Sequence, residues 1–177
     1  MGNTCATNPN DLKFDENTIN DTLRWLEETD DERVVNFYKY PFPDEAPVDY
    51  SVIDQETNKV LRFSTYRYPA HFHANSGKKP KGILFYQTGF YDYTGRHGHM
   101  CRMFSEMGYD CFGFDTRGHG KSQGDPARIN SIKECADDQK GFQRAVLEKF
   151  YPDVAERPPV FLFAHSMACM ISINLLT

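Results

Sequence analysis

The stretch Ala164-His165-Ser166-Met167-Ala168 follows the apolar run Val160-Phe161-Leu162-Phe163 and opens what reads as a helix. A serine on a sharp strand-to-helix turn presents its hydroxyl as a nucleophile, and the chemistry this suits is acyl transfer. A serine hydroxyl is a poor nucleophile until a base takes its proton. Residues 167–177 contain no Asp, Glu or His. The chain thus carries a candidate nucleophile that neither an acid nor a base follows.

Other residues invite different chemistry and fit it less well. His97, His99 and Cys101 could be drawn as a metal cluster, as could His71 and His73, but no third and fourth ligand stands at a convincing spacing. These histidines are expected in solvated polar loops, with no metal and no cofactor. His165 precedes the serine and is expected to point away from it. Gly120-Lys121-Ser122 imitates the end of a phosphate-binding loop, but the glycine that such a loop requires falls at Asp115. A carboxylate there would face the phosphates, so a nucleotide site fails on charge and on spacing.

The elements that must position Ser166 are legible in the apolar pattern. Gly82-Ile83-Leu84-Phe85-Tyr86 is continuously apolar, as in a strand buried on both faces. Residues 109–114 and 160–163 read as two more buried strands, and residues 48–54 and 60–68 as two earlier ones, separated by the polar turn Glu56-Thr57-Asn58-Lys59. Met100, Met103, Phe104 and Met107 recur at helical spacing and are followed by Gly108, a suitable C-cap. Ser131-Ile132-Lys133-Glu134 is a capping-box sequence opening a helix that runs to Phe150 and stops at Tyr151-Pro152. Strands alternating with helices predict an α/β fold with a mostly parallel, doubly wound sheet. Before it, residues 1–47 form an acidic appendage with a helical stripe (Ile19, Leu23, Leu26) and a Pro-rich linker (Pro41, Pro43, Pro47).

Composition narrows the function classes. The first 60 residues carry 14 acidic and 5 basic side chains, and the rest shows no dense basic run, which argues against nucleic acid as a partner. Five widely spaced cysteines with no C-x-x-C pair read as reduced thiols of a cytoplasmic protein. The sequence shows neither a secretory apolar core nor a run long enough to span a bilayer. Met1-Gly2-Asn3-Thr4-Cys5 begins like an N-myristoylation signal on Gly2, with Cys5 near enough for a second, palmitoyl anchor. Ala6 stands where Ser or Thr is favoured, so an ordinary polar terminus is the alternative. Two lipids would attach the chain stably to a membrane; one would not.

Three blocks now align. They are Thr88-Gly89-Phe90-Tyr91-Asp92-Tyr93-Thr94-Gly95-Arg96, the segment from Asp115 through Gly118-His119-Gly120 and Ser122 to Gly124, and Ala164 to Ala168, each following a buried strand. Together they resemble the α/β-hydrolase superfamily, most closely its monoacylglycerol lipase and serine aminopeptidase-like branch, over roughly residues 80–177. The resemblance implies that residues 48–177 are the N-terminal half of an α/β-hydrolase domain, a fold truncated after the nucleophile elbow. Ser166 is then the nucleophile, and the backbone N–H groups of Met167 and Phe90 hold the oxyanion. His119 becomes a turn residue instead of a base. The family's glycines beside the nucleophile are Ala164 and Ala168 here, and its histidine before Gly89 is Thr88.

The implied activity is hydrolysis of carboxylic esters, with a lipid ester as substrate. Without its triad Asp and His, the 177-residue chain is expected to be inactive alone. The resemblance also implies that the strand ending at Ala164 should pair with another that the chain does not contain. A protein partner or a C-terminal half would then cover the open sheet edge. The alternative is a non-catalytic, hydrolase-derived structural subunit of a larger assembly.

Overall fold

A computed structural model describes residues 47–71 and 79–176. The acylation candidates Gly2 and Cys5, the helical stripe of residues 19–26, the linker prolines 41 and 43, and His73 lie outside the described residues. Two strands, β1 (Tyr50–Ile53) and β2 (Val60–Phe63), form an antiparallel hairpin. Asp54 closes the turn between them: its carboxylate accepts from the amide and the hydroxyl of Thr57, both at 2.7 Å.

The main sheet holds β3 (Thr65–Tyr68), β4 (Gly82–Gln87), β5 (Tyr109–Phe114) and β6 (Val160–Ala164), in the order β3-β5-β4-β6. β4 runs parallel to both β5 and β6, whereas β3 pairs antiparallel with β5. Strand 82–87 therefore lies between 109–114 and 160–164, the order that right-handed crossovers from a central strand allow. The sequence reading placed one strand over 60–68. The structure breaks it at Ser64 and sends its halves to different sheets.

Helices cover both faces. α1 (Gly98–Glu106) follows a short 3-10 turn at Thr94–His97 and packs Cys101 against Leu84, Tyr86 and Cys111. Gly108 lies just beyond this helix at φ +95, which a residue without Cβ adopts at low cost. α2 (Ile132–Phe150) begins at Ser131, whose hydroxyl accepts from the Glu134 amide at 3.1 Å. Its Phe142 and Val146 meet Ile83, Phe85, Phe112 and Phe114 on the opposite face. α3 (Met167–Leu176) sets Ile171 against Cys135 and Ala136 of α2. Among the described residues, no helix is long and apolar enough to cross a membrane.

β6 corrects the sequence reading. Its residues are half-buried or exposed, with Val160 and Phe161 each 46% accessible. Its apolar content predicts burial on both faces, yet β6 has one strand neighbour among the described residues. α3 likewise exposes Met170, Ile173 and Leu176.

Candidate active site

Ser166 sits between the end of β6 and the first residue of α3, at φ +59. This left-handed backbone is uncommon for a residue bearing a side chain and marks a sharp reversal. The turn is held from both sides: the His165 amide donates to the Gln87 carbonyl at 3.3 Å, and the Ala168 amide donates to the His165 carbonyl at 3.1 Å. Ser166 is solvent-exposed, while Ala168 is fully buried beneath it. The small alanines fit where strand and helix press together.

The loop after β4 reaches the same place. Gly89 packs so closely that a Cβ there would stand 3.2 Å from the Ser166 hydroxyl oxygen and 3.1 Å from the His165 carbonyl. The Gly89–Phe90 peptide is thus brought beside Ser166. Met167 opens α3 directly after the serine. Thr88 is fully buried, and its hydroxyl has no hydrogen-bond partner among the described residues.

Asp115, just past β5, ties the second block to the first. One carboxylate oxygen accepts from the Thr94 amide at 2.8 Å, and the other from the Tyr66 hydroxyl at 2.8 Å and the Lys121 amide at 2.9 Å. The Asp115 carbonyl also accepts from the Ser122 hydroxyl at 2.6 Å. The fully buried Asp115 therefore acts as a joint between loops. Gly120 supplies the clearance, since a Cβ on it would collide with that carboxylate.

His119 is 5% exposed, and its Nδ1 lies 2.8 Å from the Arg117 carbonyl. A carbonyl only accepts, so Nδ1 carries the proton. The imidazole meets the rings of Phe90 at 5.4 Å and Tyr91 at 6.5 Å between centroids, both edge-on. It supports the loop beside Ser166, in keeping with a turn role.

Of the histidines expected in solvated loops, His71 is exposed in a turn, whereas His97 and His99 are half-buried on the 3-10 turn and on α1. His97 pairs with Asp92, Nε2 to Oδ2 at 2.5 Å, and lies 5.4 Å from the Tyr86 ring. His99 and His165 stand 6.2 and 6.5 Å from the His97 ring. Burial, and then the neighbouring His97, lower the pKa of His99. Among the described residues, no three His, Cys, Asp or Glu are placed to hold a metal ion. The Asp92–His97 pair escaped sequence reasoning, although its spacing of five residues was the available signal.

Arg117 lies behind this loop and binds Asp138 through a fork of 2.8 and 2.9 Å, Asp54 at 3.2 Å, and Glu134. The network joins the β1–β2 turn, the 115–124 loop and α2. Burial raises the Asp138 carboxyl above its usual value, against the pull of Arg117.

Comparison with known proteins bears on this geometry. The family model described as "Serine aminopeptidase, S33" matches residues 78–177. A monoglyceride lipase homolog of Monkeypox virus is 34% identical over 95 residues, 53% of this chain and 32% of that protein. The monoglyceride lipase of Rattus norvegicus is 32% identical over 94 residues, 53% of this chain and 29% of that one. The chain spans about a third of the length of these curated relatives. Among solved structures, a highly thermostable carboxyl esterase from Bacillus coagulans aligns with a TM-score of 0.54 at 26% identity, covering 72% of this chain and 39% of the esterase. With the family model matching more than half of its residues, the chain belongs to the serine aminopeptidase S33 family, a lipase- and esterase-type branch of the α/β-hydrolases.

Proposed function

We propose that Ser166 is the nucleophile of a carboxylic ester hydrolase whose substrates are lipid-like esters, and that these 177 residues supply only the nucleophile and oxyanion portion of the site. The observation that carries this reading is the left-handed turn at Ser166 with Gly89 packed against it. In the proposed reaction Ser166 Oγ attacks the acyl carbon, the alcohol leaves, and a serine ester forms that water then cleaves. The developing oxyanion is held by the N–H groups of Met167 and Phe90, each such donor being worth about 3–4 kcal/mol. The proton of Ser166 needs a base, and residues 167–177 offer neither His nor a carboxylate. Acylglycerol substrates are favoured by the monoglyceride lipases among the relatives.

The test compares the 177-residue chain with its Ser166→Ala variant. Turnover of p-nitrophenyl butyrate should be negligible and equal in both. A serine-directed fluorophosphonate should label wild type slowly at Ser166, and the variant not at all. Labelling at other serines would overturn the nucleophile assignment. Strong wild-type turnover that Ser166→Ala abolishes would show that a base is already present.

The exposed β6 edge favours a second statement, that further polypeptide covers this strand and α3, either more of a hydrolase domain or a structural partner. If so, Val160→Lys should increase the monomer fraction in size-exclusion chromatography of the 177-residue chain. An unchanged profile would count against an adhesive edge. Acylation at Gly2 and Cys5 is also part of the proposal, and would attach an otherwise cytoplasmic chain to membranes. Intact-mass analysis after expression with N-myristoyltransferase checks it.

A further inference from the structure

Two large aromatics stand on the loop that touches Ser166. Phe90 is 43% and Tyr91 72% exposed, and their rings meet at 4.5 Å in a T-shaped pair. Tyr91 also adopts φ +57, a costly backbone for a bulky side chain. Neither burial nor backbone preference accounts for a tyrosine in that position. Beneath the pair lies the buried imidazole of His119, in edge contact with both rings and fixed by its bond to the Arg117 carbonyl. Gly89 of this loop packs against Ser166, so the two rings start one and two residues away, roughly 4–7 Å along the backbone.

We infer that Phe90 and Tyr91 form an aromatic platform for the alkyl chain of an ester whose carbonyl lies at Ser166, with His119 as a positioning residue beneath it. This rests on the ester-hydrolase reading and names the substrate class as esters with an unbranched alkyl arm. An alkyl chain laid across two exposed ring faces removes apolar surface from water on both sides. The rigid imidazole support lowers the ordering cost of that contact.

The test reads binding instead of turnover, using 1-O-octylglycerol, an ether that cannot be hydrolysed. Its affinity for the 177-residue chain is measured by ligand-observed NMR titration, below its micelle threshold. Phe90→Ala and Tyr91→Ala should each weaken binding about three- to tenfold. Tyr91→Gly should weaken it similarly while raising the melting temperature, because glycine accepts the positive φ; this separates ring loss from misfolding. Met103→Ala, an exposed apolar position on α1, should leave affinity unchanged. His119→Ala should weaken octyl ether binding, and His119→Phe, which keeps a ring under the pair, should restore most of it. The aryl analogue 3-phenoxypropane-1,2-diol should bind more weakly than the octyl ether. No detectable wild-type binding, unchanged affinity in Phe90→Ala and Tyr91→Ala, or tighter binding of the aryl ether would each overturn the proposal. Ether binding breaks no bond, so the platform can stand or fall separately from labelling of Ser166.

Discussion

A Cβ placed on Gly89 would lie 2.8 Å from the Cβ of Ser166, closer than two carbons can approach without something moving. The loop after β4 and the turn after β6 are therefore fitted at backbone distance. Only a residue without a side chain lets the two segments approach this closely. Gly89→Ala should push the two segments apart, at an overpacking cost of about 1–3 kcal/mol. Thermal unfolding should report the loss of stability, and fluorophosphonate labelling of Ser166 should fall with it. Normal labelling in a stable Gly89→Ala chain would show that the approach is not needed.

Arg117 offers a larger stability effect. Its side chain is 5% exposed and answers three carboxylates from two elements, Asp54 of the β1–β2 turn and Glu134 and Asp138 of α2. Arg117→Met would leave three acidic groups around an apolar side chain, and breaking such a buried pair costs about 3–5 kcal/mol. Arg117→Lys keeps the charge but loses the two-pronged bond to Asp138, so its stability should fall between the two. Urea unfolding midpoints check the order. Wild-type stability in the Met variant would show that the network contributes nothing net.

A pH dependence follows from the β1–β2 turn. Asp54 titrates below its usual value because the hydroxyl and amide of Thr57 donate to its carboxylate, with Arg117 adding to the effect. A lowered folded-state pKa stabilises the fold above the unfolded carboxylate's titration near about pH 3.9, and that stability is lost as pH falls through the folded value. Thr57→Val removes the hydroxyl donor and should raise the Asp54 pKa. Wild type should therefore be the more stable protein at pH 6, and the two should converge only once pH has fallen below about 3.9 and through the lowered folded-state value. An equal gap at both pH values would assign the difference to the turn's backbone instead.

The strand-to-helix turn at Ser166 was legible because its signals are local: an apolar strand, a serine, small flanking residues and the start of a helix, all within a dozen positions. Strand alternation and the helix at 132–150 were legible for the same reason, since capping and periodicity are written in adjacent residues. Strand order rested on the resemblance to a family, not on periodicity. What escaped was set by distant partners. Asp115 joins Tyr66, Thr94 and Lys121 across as many as 49 residues of chain, and Arg117 reaches Asp54 over 63. Burial of β6 was misread because hydropathy reports composition and not how many neighbours a strand has. The break at Ser64 escaped too: residues 60–68 keep a strand-like composition while their two halves choose different sheets.

Cysteine reactivity separates the interior from the surface of this fold. Cys101, Cys111 and Cys135 are fully or almost fully buried, and burial pushes the thiols of Cys101 and Cys135 up to about 12 and that of Cys111 higher still. Since the thiolate is the reacting form, these three are inert in the folded state at neutral pH. Cys169 lies on the exposed side of α3, one turn beyond Ser166, with its thiol against the Ala164 carbonyl at 3.6 Å. Iodoacetamide at pH 7.5 should therefore alkylate Cys169 readily, and Cys101, Cys111 and Cys135 only after denaturant is added. Peptide mapping by mass spectrometry before and after unfolding gives the order. The bulky adduct on the first turn of α3 should also slow fluorophosphonate labelling of Ser166, and Cys169→Ser should remove that sensitivity. Early modification of Cys111, at the centre of the sheet, would mean that β5 is not packed between β3 and β4 in solution.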